Sequence, residues 1–340
     1  MQIAVYYNNR DIRIQEQPIP EIADDEILLR VKASGICGSD VLEWYRLKKA
    51  PLVLGHEVTG VIAKTGSAVK KFKAGDRVFV AHHVPCNRCR YCLSGNHTVC
   101  QTLQSTNFYP GGFSEYIRVP AINIERGMLI LPENISFPEG TFIEPLGCVL
   151  RGQRIADIQE GQSVLIFGAG ISGLLHLLLA RVKKAGRIIL TDINEYRLKM
   201  AKELGADTII NAKDDVVSAL RGENQGRLAD QVIICTGAVS AFGQGLACVE
   251  RAGTIMCFAA TDPGVTLPVP VNEFWRQSIK IMHSYGASPL DEMQALDLLG
   301  TGAISVKKLI THRLKLKDAG LGFKLAAEAK DCIKVILEPE

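Results

Sequence analysis

The chain has no excess of one charge. Thirty-nine Lys and Arg face thirty-six Asp and Glu, leaving +3 at pH 7, and no basic block stands out. That balance gives no electrostatic footprint for nucleic acid or an anionic membrane, so the expected partner is a small molecule. Long apolar runs are missing too. The longest, Ile171 to Ala180, is interrupted by Ser172 and His176 and stopped by Arg181, well short of the roughly 20 residues a spanning helix needs. Ten cysteines in 340 residues fall below the density of a secreted disulfide scaffold, and the opening Met-Gln-Ile-Ala-Val lacks a signal-peptide pattern. A reducing, cytoplasmic setting is therefore expected. With 47% hydrophobic and 22% charged side chains the chain reads as globular, and its length suits two domains of about 150 residues each.

Four cysteines stand together. Cys86, Cys89, Cys92 and Cys100 form C-x2-C-x2-C-x7-C, interleaved with Asn87, Arg88, Arg90, Tyr91, Ser94, Gly95 and Asn96. Tetrahedral zinc needs four such thiolates, and short spacers in a turn-rich loop let one segment wrap the ion. An iron–sulfur cluster is the competing use of four thiolates. All four positions are taken by protein, so a zinc here is structural and stiffens a loop.

A second constellation lies earlier. Gly35-Ile36-Cys37-Gly38-Ser39-Asp40 is followed, nineteen residues after Cys37, by Gly55-His56-Glu57. The flanking glycines let backbone come close to something, and Cys, His and Glu supply the S, N and O donors of an asymmetric zinc site. Glu144 sits in Phe142-Ile143-Glu144-Pro145-Leu146, where apolar flanks make a buried, unpaired carboxylate costly. A metal would account for it.

A third segment, Ser163 to Phe167, is a short apolar run opening through Gly168-Ala169-Gly170-Ile171-Ser172-Gly173 into the apolar pattern Leu174 to Val182. Arg187 to Asp192 then reads as a second strand, ending in an acid nineteen residues after Gly173. G-x-G-x-x-G between a strand and a helix is the dinucleotide fingerprint: Gly168 for the turn, Gly170 for approach of the pyrophosphate, Gly173 for close helix packing. The phosphates would sit at the positive end of the helix. Asp192 can accept from ribose hydroxyls and repels a 2′-phosphate, which favours NAD over NADP. Arg197 reads either as an adenine-side contact or as an exposed helix arginine.

From Asp192 onward helices and strands alternate: helix Glu195 to Leu204, strand Thr208 to Asn211, helix Asp214 to Arg221, strand Gln231 to Cys235, helix Val239 to Arg251, strands Thr254 to Phe258 and Ile279 to Ser284. This is the pattern of an α/β, doubly wound parallel sheet over 147–285. Residues 1–146 are β-rich with Gly and Pro turns, suiting a barrel-like lobe. Residues 286–340 hold a helix (Asp291 to Leu299), a second near Leu316 to Lys330 and a final strand Cys332 to Leu337, too little for a domain of their own. They are expected to rejoin the first lobe.

These motifs, in this order over essentially the full length, resemble the medium-chain, zinc-dependent alcohol dehydrogenase family. Glu144, where the alcohol dehydrogenases proper place a cysteine, makes the chain most similar to the sorbitol and threonine dehydrogenase branch. The resemblance implies a GroES-like catalytic lobe (1–146 and 286–340) with a structural-zinc loop at 86–100, and an inserted Rossmann domain. It implies two zinc ions per chain, one held by Cys86, Cys89, Cys92 and Cys100. The other, catalytic, would sit in a cleft between the lobes, held by Cys37 and His56, with Glu57 and Glu144 ligating directly or through water. NAD would lie on Gly168, Gly170, Ile171, Gly173, Asp192 and Arg197. A homo-oligomer, dimer or tetramer, is also implied.

The expected reaction is oxidation of a secondary alcohol to a ketone, zinc lowering the pKa of the hydroxyl and the nicotinamide taking the hydride. Ser39 matches the family serine that bonds the substrate alcohol. Leu42 stands where many relatives carry the next relay histidine, so the proton leaves through water, the cofactor ribose or a group such as Glu43. Trp44, Tyr45, Phe108, Tyr109 and Phe113 border the cleft by resemblance or else pack in the core. Ser284 falls where the sorbitol branch has a substrate-binding arginine, which argues against sorbitol itself and leaves a polyol, cyclitol or sugar derivative, with an amino alcohol such as threonine as the alternative. A zinc-free quinone or enone reductase would lack these metal donors, and a noncatalytic NAD-binding descendant would have lost them or Ser39. Cys148, Cys235, Cys248, Cys257 and Cys332 are expected to be buried hydrophobes, and His82, His83 and His176 are assigned to no metal.

Overall fold

In a computed structural model, residues 1–339 are described. The chain divides into two compact units, Met1–Gly147 with Ala287–Glu340, and Cys148–Gly286.

The second unit is built on six parallel strands in the spatial order Thr208–Asn211, Ile188–Asp192, Val164–Phe167, Ala229–Ile234, Val249–Cys257, Lys280–His283. In chain order that is 3-2-1-4-5-6, the dinucleotide-binding arrangement, with its switch point beside the first strand. All four residues of Val164–Phe167 and all five of Ile188–Asp192 are buried, as expected of central parallel strands covered on both faces. Gly168 has φ +93°, and a Cβ on Gly173 would lie 1.8 Å from the Gly168 carbonyl oxygen. The fingerprint glycines are thus required by the turn and by the helix Ile171–Val182 closing on it.

One expected helix is shorter than its periodicity suggested. It spans Val239–Ala247, and residues from Val249 join the next strand, where Val249 pairs with Ala229. Strand pairing took residues whose local pattern continued the helix, a tertiary override of propensity.

The first unit carries a sheet ordered Ile310–Lys315, Lys334–Glu338, Ile27–Gly35, Glu57–Thr65, Arg77–Ala81, Met128–Ile130, with Tyr116–Val119 also paired to Ile27–Gly35. A smaller sheet joins Asp11–Glu16, Gln2–Asn8 and Leu52–Val53. Inward side chains including Leu29, Val31, Val58, Val78, Val80 and Ile117 make one core. The strand Ile310–Lys315 was not anticipated; it runs parallel to the terminal strand, with the helix Ala319–Glu328 between them in sequence. The expected helix from Leu316 to Lys330 opens instead as a 3-10 turn, Leu316–Asp318, and stops at Ala329 with φ +52°. No helix among the described residues is long and apolar enough to cross a membrane.

His176 is fully buried in the helix Ile171–Val182, edge-on to Phe258 at 4.6 Å between ring centres, and Gln153 Nε2 donates to its carbonyl at 2.8 Å. Burial, with Lys183 adding its charge, pushes the imidazole down to about 3 from the ordinary 6.5. Between those values the unfolded chain binds a proton that the folded chain refuses, so the histidine's stability contribution is full above the ordinary value and is lost as pH falls towards 3. His176→Gln is expected to remove this one-proton dependence, flattening the stability-versus-pH slope by about 1.4 kcal/mol per pH unit across that window. Urea unfolding of both proteins from pH 4 to 7 checks it; a pH-independent difference would contradict the assignment.

Candidate active site and metal centres

Strand pairing brings the first constellation together. Ile27–Gly35 runs antiparallel to Glu57–Thr65 with Gly35 opposite Glu57, so Cys37, just past the end of one strand, meets His56 and Glu57 at the start of the other. One donor atom from each of the three lies within 4.8 Å of the others. A Cβ on Gly35 would lie 1.9 Å from Glu57 Oε2, and one on Gly55, at φ +93°, would lie 2.7 Å from the Phe113 backbone nitrogen. Both glycines make room for the site.

Asp40 organises the surrounding hydrogen bonds. Its Oδ2 accepts from the Cys37 backbone N–H at 3.1 Å, and its Oδ1 faces His56 Nδ1 at 3.4 Å and Arg46 Nη2 at 3.1 Å. With Nδ1 turned to Asp40, Nε2 is the ring nitrogen left to bind a metal. Burial opposes charge on both partners. For His56 it is outweighed by the negative charges of Asp40 and Cys37, which lift the pKa well above the ordinary value. For Asp40 it is outweighed by His56, Arg46 and the Cys37 N–H, which hold the carboxyl below its usual range.

Glu57 is completely buried and forms an ion pair with Lys334, itself 1% exposed, on the terminal strand. Lys334 Nζ also donates to the Ile36 carbonyl at 3.1 Å. Burial works against the ammonium, but Glu57, Cys37 and Glu144 together outweigh it and raise its pKa. Glu144, buried in the first turn of the helix Ile143–Ile155, is thus near enough for its charge to act on Lys334. Glu57 Oε1 is buried with no hydrogen-bond partner. A thiolate, an imidazole and a carboxylate with an unsatisfied oxygen fit a zinc ion. Lys334 was missed from sequence; its signal was one lysine inside the apolar run Cys332 to Leu337.

In the second constellation Cys89 Sγ and Cys92 Sγ are 3.5 Å apart and Cys86 Sγ and Cys92 Sγ 4.0 Å apart. Four sulfurs at about 2.3 Å from one zinc are about 3.8 Å from each other, so the spacing fits tetrahedral ligation. The Cys86 and Cys89 backbone N–H groups donate to Cys100 Sγ and Cys86 Sγ at 3.4 and 3.3 Å. Burial would raise the Cys100 thiol, but N–H donors from Cys86 and Leu103 outweigh it and bring its pKa to about 6. Cys100 is thus prepared as a thiolate, whereas burial and the neighbouring thiols push Cys92 up to about 12.

At the dinucleotide fingerprint, Asp192 Oδ2 accepts from the Ala169 N–H at 2.7 Å and Oδ1 from the Asn194 N–H at 2.9 Å. The acid thus braces the glycine turn, and each oxygen keeps a lone pair for a ribose hydroxyl. Gly170 caps the helix that begins at Ile171. Arg197 is not a remote helix arginine: Nη1 lies 3.5 Å from where a side chain on Gly170 would begin, and its Nε is buried without a hydrogen-bond partner. A braced turn, a helix N-terminus and a guanidinium beside it fit the phosphates and ribose of a dinucleotide.

The structure decides among the remaining readings. Phe108 and Phe113 are 2% and 1% exposed and belong to the cores, so packing claims them, while Tyr109 is exposed and Trp44 and Tyr45 are half-buried. Cys148 and Cys235 are partly accessible, whereas Cys248, Cys257 and Cys332 are buried. Ser284 is buried, and its hydroxyl accepts from Arg151 Nη1 at 3.2 Å, so an arginine reaches this position from another element. His82 stacks between His56 and His83, at 4.8 and 3.9 Å between ring centres.

A parallel dinucleotide-type sheet and a β lobe with two sets of zinc-type donors define a metal-dependent oxidoreductase. Residues 23–133 match the alcohol dehydrogenase GroES-like domain and residues 172–301 the zinc-binding dehydrogenase family. The chain is 37% identical over 327 residues to "Probable D-xylulose reductase A" of Aspergillus clavatus, covering 92% of this chain and 90% of that one. It is 32% identical over 352 residues to sorbitol dehydrogenase of Bacillus subtilis, covering 100% and 97%. A zinc-binding dehydrogenase of Sinorhizobium meliloti, solved with NADP bound, superimposes with TM-score 0.89 at 28% identity over 99% of both chains. The chain belongs to the medium-chain, zinc-binding alcohol dehydrogenase family, in its sorbitol dehydrogenase-like branch.

Removing Lys334 leaves Glu57 as a buried charge without its counter-ion. Lys334→Ala is expected to lower the unfolding free energy of the zinc-free protein by about 3 to 5 kcal/mol, with Lys334→Arg retaining most of it. Chemical denaturation measures both; a loss below about 1 kcal/mol, the level of an exposed pair, would be at odds with this role.

Proposed function

We propose that this chain oxidises a secondary alcohol of a polyol, cyclitol or sugar derivative to the ketone, with zinc and NAD. The observation that carries the reading is the convergence of Cys37, His56 and Glu57 donors within 4.8 Å, two residues from the Ser39 hydroxyl and in a chain with a separate dinucleotide fingerprint. A zinc held by Cys37, His56 and a carboxylate supplies a Lewis acid that lowers the pKa of an alcohol hydroxyl, and NAD supplies the hydride acceptor. Ser39 hydrogen-bonds the alcohol oxygen. Asp40 orients His56, while Glu57 and Glu144 are the carboxylates available to the metal, Lys334 balancing their charge. Gly168, Gly170, Ile171 and Gly173 receive the pyrophosphate, and Asp192 with Arg197 receives the adenosine ribose. Asp192 would repel a 2′-phosphate, which supports NAD although a relative was solved with NADP. The loop Cys86, Cys89, Cys92 and Cys100 holds the second, structural zinc. A four-cysteine cluster placed for a metal suits a cytoplasmic setting.

The test is a screen of xylitol, sorbitol, inositols and threonine with NAD and NADP, alongside metal analysis. Expected are two zinc ions per chain, turnover of at least one polyol or cyclitol, and at least tenfold preference for NAD. Ser39→Ala should lower kcat by about 10²-fold. One zinc per chain, or activity confined to threonine, would overturn the reading.

The chain is also proposed to form a homodimer. Lys280–His283 is the sheet edge, with Ile281 38% exposed, and the preceding helix leaves Val271 and Trp275 at 70% and 76% exposed. An open strand edge with apolar neighbours favours pairing with a second copy. Light scattering should give a dimer or a multiple of it, and Trp275→Glu with Ile281→Asp should give a monomer; a monomeric parent protein would refute the proposal.

A further inference from the structure

Leu42, which stands where the family resemblance implies a relay histidine, is 36% exposed and has no polar side-chain group. What reaches Ser39 instead is Arg46, from the short helix Glu43–Arg46. Arg46 Nε donates to the Ser39 carbonyl at 2.9 Å, and Nη2 donates both to Ser39 Oγ at 3.1 Å and to Asp40 Oδ1 at 3.1 Å. The Arg46 side chain is only 12% exposed, and its guanidinium lies over the Tyr45 ring at 4.6 Å. Two hydrogen bonds to one serine and one to the next residue hold it in a single orientation.

A guanidinium has donors only and keeps its charge at any working pH. It can therefore neither accept a proton from Ser39 nor pass one on. Its hydrogen bond takes one of the two lone pairs on Ser39 Oγ, leaving the hydroxyl hydrogen and one lone pair for an alcohol oxygen. It also places a permanent positive charge one hydrogen bond behind that hydroxyl, where negative charge on a substrate oxygen is stabilised by preorganised donors.

We propose that Arg46 is a positioning residue for the reaction: it fixes the Ser39 hydroxyl towards the substrate oxygen and supports charge there, in place of a side-chain proton relay. The proposal rests on the alcohol dehydrogenase reading for its kinetic consequence, but not for its structural one. Ser39 is held by Arg46 with or without substrate.

Two arms test it, with Arg46→Met, Arg46→Lys, Ser39→Ala and the double variant Ser39→Ala/Arg46→Met. In the first, crystal structures of the zinc-free parent and zinc-free Arg46→Met are compared. One Ser39 rotamer in the parent and several, or a different one, in Arg46→Met is expected; the same single rotamer in both overturns the proposal even if no alcohol is ever turned over. In the second, with xylitol or whichever alcohol the screen identifies, Arg46→Met should lower kcat about 10²-fold with zinc content and NADH affinity unchanged, and Arg46→Lys should recover at least tenfold. In the Ser39→Ala background the same change should cost less than about threefold, because the arginine acts through the hydroxyl. Additive losses, or loss of the zinc held at Cys37 and His56, would instead make Arg46 a support for Asp40 and refute the role. A parent protein that oxidises no alcohol would defeat the dehydrogenase reading alone, leaving the rotamer comparison to decide this one.

Discussion

The buried pair of Glu57 and Lys334 is the interaction on which the catalytic lobe depends. Glu57 opens one strand of the sheet and Lys334 the last strand of the chain, and Gly35 lies between them in the sheet, paired to Glu57 on one side and Ile336 on the other. The pair ties the C-terminal segment to the two strand ends beside which Cys37, His56 and Glu57 converge. Taking both charges out of water is costly and is offset only when geometry and further partners are good. Here Lys334 also bonds the Ile36 carbonyl one residue before Cys37. A discontinuous lobe is thereby closed at the point where its chemistry is placed.

The charges around Cys37 and His56 form a graded set. Asp40, buried completely, faces His56, Arg46 and the Cys37 N–H, so one carboxylate orients the His56 ring, the Cys37 backbone and a guanidinium. Lys334 answers Glu57 and feels Glu144. Asp40 and Glu57, which would repel one another without a cation, are given Arg46 and Lys334 respectively. The four-cysteine loop uses a different device: backbone N–H groups supply the positive ends and no charged side chain is needed for Cys86 and Cys100.

On the dinucleotide side, Asp192 has two duties. The residue proposed to discriminate at the ribose also receives the Ala169 and Asn194 N–H groups, so on that proposal cofactor preference and the shape of the glycine turn rest on one carboxylate. Exchanging it to admit a 2′-phosphate would loosen the turn as well as remove the repulsion. Arg197, drawn over Gly170, makes the same corner cationic.

Local pattern sufficed for much of this protein. The four-cysteine loop, the glycine fingerprint and the strand-ending Asp192 were legible because each depends on spacing within one short segment, where covalent geometry alone brings the groups together. Cys37, His56 and Glu57 were legible as residue types, but their convergence required the register of two strands. Whatever rests on long-range pairing was not readable: the early end of the helix at Ala247, the strand Ile310–Lys315, and which of two open places, cleft border or core, Phe108 and Phe113 take. So too Lys334 beneath Glu57, Arg151 at Ser284 and Arg46 on Ser39, since no periodicity tells which distant cation will meet which polar group. The sequence by itself determined the donors, the cofactor turn and the family, because those are properties of residue type and short spacing; only the tertiary structure decided which buried charges neutralise one another, because that follows from packing of segments far apart in the chain.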